Sequence, residues 1–151
     1  MENTGFGGLD NELGTGAPQA VITVAEPEKP KRRMFYEWIV GGNSYRLKLN
    51  TSMICKLEEK FGRNLLDVVT ANGVPPLAQM LTIVQGAMAP WNHQTSYRDV
   101  QALFDKYVSE GGNQMDFYGE VIMQIMAVSG FFTDAQAQEL TKKMQEATQM
   151  L

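Results

Sequence analysis

Apolar positions along this chain change from alternation to helical spacing at Asn50, and that change divides the fold. Upstream of it, Phe35 to Val40 is rich in aromatic and β-branched residues, and Tyr45, Leu47 and Leu49 alternate with Arg46 and Lys48. Between the two runs, Gly41-Gly42-Asn43-Ser44 supplies the positive-φ residues of a tight turn, so Met34 to Asn50 is predicted as a β-hairpin. Tyr36, Trp38 and Val40 share one face, with Phe35 and Ile39 on the other. Two apolar faces predict burial or an interface, and a lone hairpin is marginal in water, so it must pack on helices or on another chain.

Everything after Asn50 is predicted helical. In Ser52 to Phe61, Ile54, Leu57 and Phe61 fall on one face and Lys56, Glu58, Glu59 and Lys60 largely on the other. Gly62 stands where a left-handed residue ends a helix, and Asn64 caps a short one that Asn72-Gly73 closes. Pro75-Pro76 opens the next helix, whose Leu77, Met80, Leu81, Val84 and Met88 keep one face and which Pro90 stops. Ser96 with Asp99 forms a capping box for a helix to about Ser109, burying Tyr97, Val100, Phe104 and either Tyr107 or Val108. Gly111-Gly112-Asn113 ends it.

Met115 to Ser129 is apolar around most of its circumference, as a central bundle helix or one with a greasy face turned to a partner. Thr133 and Gln136 cap a last helix through Leu151, on which Ala137, Leu140, Met144, Ala147 and Leu151 form a narrow seam of coiled-coil spacing. So short a seam holds nothing alone and needs a docking surface.

Met1 to Pro30 differ in composition. Five glycines (5, 7, 8, 14 and 16) favour the unfolded chain, and Pro18, Pro27 and Pro30 interrupt any ladder or helix. Two readings stand for this stretch: a flexible arm, or a peptide-like arm whose Ala20 to Val24 orders on a neighbouring subunit by strand addition. Lys29, Lys31, Arg32 and Arg33 then form a small basic cluster, predicted as a solvated hinge. The expected architecture is therefore mainly α, a small bundle of about five to six helices preceded by a short β-hairpin and a flexible N-terminal arm. The expected boundaries are 1–33 for the arm, 34–132 for hairpin plus helices, and 133–151 for the C-terminal helix.

Charge and composition narrow the function. A net charge of −4 argues against phosphate-backbone binding, so no nucleic-acid partner is expected. Cys55 is the only cysteine, which suits a reducing compartment and is expected to pack as a small apolar residue beside Ile54. No apolar run approaches the roughly 20 residues of a membrane span, and Met1-Glu2-Asn3 opens no secretory signal, so a soluble cytoplasmic protein is expected.

Candidate chemistry is sparse. His93, the only histidine, lies in a predicted loop with Trp91, and nothing in the sequence pairs it with Cys55. Glu58 and Glu59 between Lys56 and Lys60 suggest charge pairing on a helix surface rather than an acid/base pair. Gly5, Gly7 and Gly8 have no flanking strand and helix, so they form no phosphate loop. The expectation is a non-catalytic protein without a cofactor or metal. Ten methionines, most of them in predicted helices, either fill a loosely specified core or line an adaptable groove for amphipathic helices.

The stretch Tyr45 to Val69 joins the strand to the first helix through Leu57-Glu58-x-x-x-Gly62 and continues with Leu65-Leu66. This arrangement resembles the tail assembly chaperones of long-tailed, siphovirus-like bacteriophages and gene transfer agents, over roughly Met34 to Phe132. The resemblance implies a protein of phage morphogenesis in the host bacterial cytoplasm. It would bind the helical tape measure protein, promote assembly of tail tube protein around it, self-associate, and use no cofactor. Many members of that family are also made in a longer frameshifted form, with which the tandem Lys142-Lys143 is compatible. In this reading Leu57, Leu65 and Leu66 are core, Glu58 is surface and Gly62 is a turn. Expected partner contacts are Met123 and Met126 on the apolar helix, Leu140, Met144 and Leu151 on the terminal seam, and Trp38 and Ile39 on the hairpin. The rival expectations are a structural tail-completion or connector protein retained in the virion, and a small enzyme.

Overall fold

Gly41 and Gly42, at φ +61° and +79°, make the two-residue turn that the twist of paired strands favours. They join β1 (Tyr36–Val40) to β2 (Asn43–Leu47) as an antiparallel pair with Tyr36 opposite Leu47 and Trp38 opposite Tyr45. Of the computed structural model, residues 33–150 are described, to the side chain except at 144, 145 and 147–150. The expectations for the N-terminal arm and for Leu151 lie outside the described residues, as does that for the side chain of Met144.

The hairpin has one buried face, not two. Trp38, Val40 and Leu47 are buried, while Glu37, Ile39, Ser44 and Arg46 alternate outward to solvent. On that outer face the Ser44 hydroxyl donates to Glu37 at 3.0 Å. Phe35 lies under the Arg46 guanidinium at 4.9 Å and meets Trp91 edge-on at 5.7 Å. Periodicity located both faces, but the polar members Glu37, Ser44 and Arg46 decide which one water keeps. Beyond β2 the chain is fastened twice: Lys48 N–H donates to Ala87 C=O (3.0 Å) and Leu49 N–H to Ser129 Oγ (2.9 Å).

Helix α1 (Thr51–Phe61) starts where Asn50 accepts from Met53 N–H and ends at Gly62, whose φ of +74° needs no β-carbon. Helix α2 (Leu65–Thr70) follows after Asn64, whose side chain accepts from Leu66 N–H and Asp67 N–H. Glu58 corrects its expected surface role: its carboxylate accepts from Leu65 N–H at 2.9 Å and so satisfies an orphan donor at the start of α2. The spacing Leu57-Glu58-x-x-x-Gly62 with Leu65 is thereby a structural joint. Leu57 and Leu65 are buried, Gly62 turns the chain, and Glu58 reaches across the turn to hold the next helix.

Helices α3 (Leu77–Met88) and α4 (Tyr97–Ser109) pack on each other, and both Ser96–Asp99 capping-box bonds are made. On α4 it is Tyr107 that packs toward the core, leaving Val108 exposed. Helix α5 spans 114–128 in three segments, Gln114–Asp116, a π-helical Phe117–Ile122 and Met123–Val128. It is the central helix, with Phe117, Ile122, Ile125 and Met126 fully buried. The wide π turn rotates the residues after it by about 100° relative to an uninterrupted helix, and from Gln124 to Val128 the helix is buried on all sides. The Tyr118 hydroxyl donates to Val69 C=O at 2.9 Å and ties this helix to α2. Helix α6 (Asp134–Met150) opens with the Thr133–Gln136 capping box, both bonds formed. It lies against the last segment of α5.

Met126 and Trp38 were expected as partner contacts, and the structure places both in the core, at 0% and 2% exposure. Cys55 is exposed rather than packed. Replacing Glu58 with alanine should lower unfolding stability by about 1–2 kcal/mol through the lost cap. Met126→Ala should cost about 2–5 kcal/mol, and Cys55→Ala should stay within about 0.5 kcal/mol. Urea titrations of the three variants test this ordering, and a Glu58→Ala midpoint equal to that of the parent would refute the joint.

Candidate interaction site

Of the residues expected to meet a partner, the structure leaves a smaller set at the surface. Ile39 is 64% exposed on the outer face of the hairpin. Met123 is half-buried and packs against the core. Leu140 is half-buried and lines an open groove of about 420 Å³ with Phe132, Ala135, Gln136, Glu139 and Lys143. Ile39 belongs to the hairpin and Leu140 to α6.

The groove arises from how α6 is seated. Ala137 and Thr141 are half-buried, and Gln124 of α5 donates to Thr141 Oγ1 at 3.5 Å. That docking leaves positions 135, 136, 139, 140 and 143 on an adjoining face, four or so residues apart, with Phe132 at its start. The terminal seam thus divides: Ala137 is spent on docking, while Leu140 also borders open space.

A second groove, of about 360 Å³, runs between α1 and α3. Met53, Leu57, Gly86 and Ala89 form its apolar part, and Lys56, Lys60 and His93 border it. Gly86 matters here by its lack of a side chain, since a β-carbon would stand 2.9 Å from Met53 Cγ. The expected Lys–Glu pairing on α1 does not form. Glu58 is committed to α2, and among the described residues neither Lys56 nor Lys60 makes an ion pair.

The densest group of titratable side chains surrounds the π turn of α5, where sequence reading placed no site. Arg33 donates to the buried Gln124 at 2.6 Å and sits 5.9 Å from the Tyr36 ring. Burial, then the Asp116 charge, pushes the Glu120 carboxyl above its ordinary value. Burial, then Glu120, raises the Tyr36 phenol. Tyr107 is pushed up to about 12, first by burial and then by Glu120, Asp116 and Tyr36. Each shift favours the uncharged form, which is the consequence of desolvation and not of a nearby activating base. Glu120 and Gln124 inside an otherwise apolar run were the available signal. Among the described residues no cluster of His, Cys, Asp and Glu is arranged to hold a metal ion, and no helix is long and apolar enough to cross a membrane.

Because ionised Glu120 is disfavoured in the fold, its penalty is absent below its ordinary value of 4.5, grows as pH rises past it and is complete above the raised one. Glu120→Gln should therefore raise the thermal midpoint at pH 7 and leave it unchanged at about pH 3. Calorimetry at both values checks this, and an equal gain at both would assign the effect to packing instead.

Compared with known families, residues 37–150 match the model of a family of unknown function, DUF6096. No curated protein and no solved structure matches the chain.

Proposed function

The chain belongs to the DUF6096 family, and we propose that it is a tail assembly chaperone of a phage or prophage. It binds the helical tape measure protein and promotes assembly of the tail tube around it, without turnover. The observation that carries this reading is the open groove on α6, where Phe132 and Leu140 border about 420 Å³ of space on a helix already docked by its other face. An amphipathic client helix presents side chains at i, i+3, i+4 and i+7, the spacing a groove along a helix accepts. Binding of that kind buries apolar stripes that would otherwise aggregate, and it releases them by simple dissociation. The Leu57-Glu58-x-x-x-Gly62 joint is the residue pattern on which the resemblance to such chaperones rests. The host bacterial cytoplasm is the place of action, the tail tube protein a further partner, and self-association part of the working form.

Co-expression with the tape measure protein encoded in the same genome tests the proposal. The client should remain soluble and co-purify with the chain. Leu140→Glu should cut the recovered complex about tenfold, a loss of about 1.4 kcal/mol in binding, while leaving the thermal midpoint within a few degrees of the parent. A folded chain that leaves the client insoluble would overturn the reading. Stoichiometric copies in purified particles would replace it with a tail-completion or connector protein.

A further inference from the structure

We propose that the groove between α1 and α3 is a separate docking site for an amphipathic helix whose flanks are acidic. This goes beyond the α6 groove and does not depend on it. The floor is apolar and adaptable. Met53 lies over Gly86, where any side chain would collide with it, and an unbranched thioether can swing aside to admit a partner's apolar side chain.

The rim decides which partner fits. Lys56 and Lys60 stand one turn apart on α1, both are exposed, and neither is neutralised by an ion pair among the described residues. Glu58 is turned away to cap α2, and the exposed Glu59 beside Lys60 makes no ion pair among the described residues. Among the described residues no carboxylate lines the groove, although the chain as a whole carries a net charge of −4. A partner helix lying on Met53 and Leu57 would bring its flanking residues against these ammonium groups. Carboxylates there gain contact, and basic flanks are repelled.

A fluorescein-labelled synthetic helix with leucines at i, i+3, i+4 and i+7 and glutamates on both flanks is the probe, titrated with the full chain by anisotropy. A sister peptide with lysine flanks is the comparison. The glutamate peptide should bind about fivefold to tenfold more tightly, and added salt should narrow the gap. Lys56→Glu with Lys60→Glu should reverse the preference, while Leu140→Glu should leave it intact. With 13C-methyl methionine labelling, the Met53 signal should move on adding the glutamate peptide and that of the buried Met126 should not. The proposal is overturned if the glutamate peptide does not bind, or if the double charge reversal leaves the preference unchanged. It is also overturned if the parent chain forms a dimer that the reversal dissolves, since a second copy would then be the occupant.

Discussion

Trp38 meets Phe117 at 5.6 Å and Tyr107 at 5.7 Å, and on that junction the placement of every other element rests. A two-stranded hairpin cannot hold itself together in water. Here its inner face is closed by rings from α4 and α5, with Phe104 set edge-on to Phe117 at 4.9 Å. The junction has a cost, because the Trp38 indole N–H is buried without a hydrogen-bond acceptor. Such an unmet donor costs about 1–3 kcal/mol, whereas burying an indole of 150–250 Å² stabilises by about 4–6 kcal/mol. Packing wins, and the hairpin becomes part of the core.

With the hairpin fixed, the rest is positioned by short links at its exit. Lys48 and Leu49 bond to the ends of α3 and α5 respectively, so both central helices are registered to one strand end. Glu58 then sets α2 from α1, and Tyr118 returns from α5 to α2. These are polar contacts between elements far apart in sequence or separated by a tight turn. They convert an apolar cluster, which fixes little by itself, into one arrangement of helices.

That division explains what the sequence disclosed. Local chemistry was legible: the Gly41-Gly42 turn, the Ser96–Asp99 and Thr133–Gln136 capping boxes and the Gly62 stop are each decided within a few residues. The identity of a residue's neighbours was not. Trp38 and Ile39 looked equivalent as hairpin apolar residues, yet the partners at one pleat are Phe117 and Tyr107, and at the other water. Met123 and Met126 are three apart on one apolar helix, and only the second is fully enclosed, just after a π turn that no periodicity predicts. Glu58 stands in sequence between lysines, while the amide it caps is seven residues on. The polar group at Arg33, Tyr36, Tyr107 and Glu120 draws on three elements, and no window of the sequence contains it.

The methionines bear on how such a fold meets a partner. Met80, Met88 and Met126 are wholly enclosed, so they fill the core and contribute nothing to an adaptable surface. Adaptability therefore rests on few positions. Met53 is one, a half-buried side chain that lies over Gly86 and borders the groove between α1 and α3. Leu140 is another, on a helix held through Ala137 and Thr141. Both sit on elements whose opposite faces are anchored, so a partner helix can be accepted there without reopening the Trp38–Phe117 junction. Specificity then has to come from the rims, basic along α1 and of mixed charge along α6, where Glu139 and Lys143 lie one turn apart. On the proposed reading, a surface built this way would select clients by the charge beside an apolar stripe rather than by the stripe itself, which is what a binder of long, repetitive helices requires.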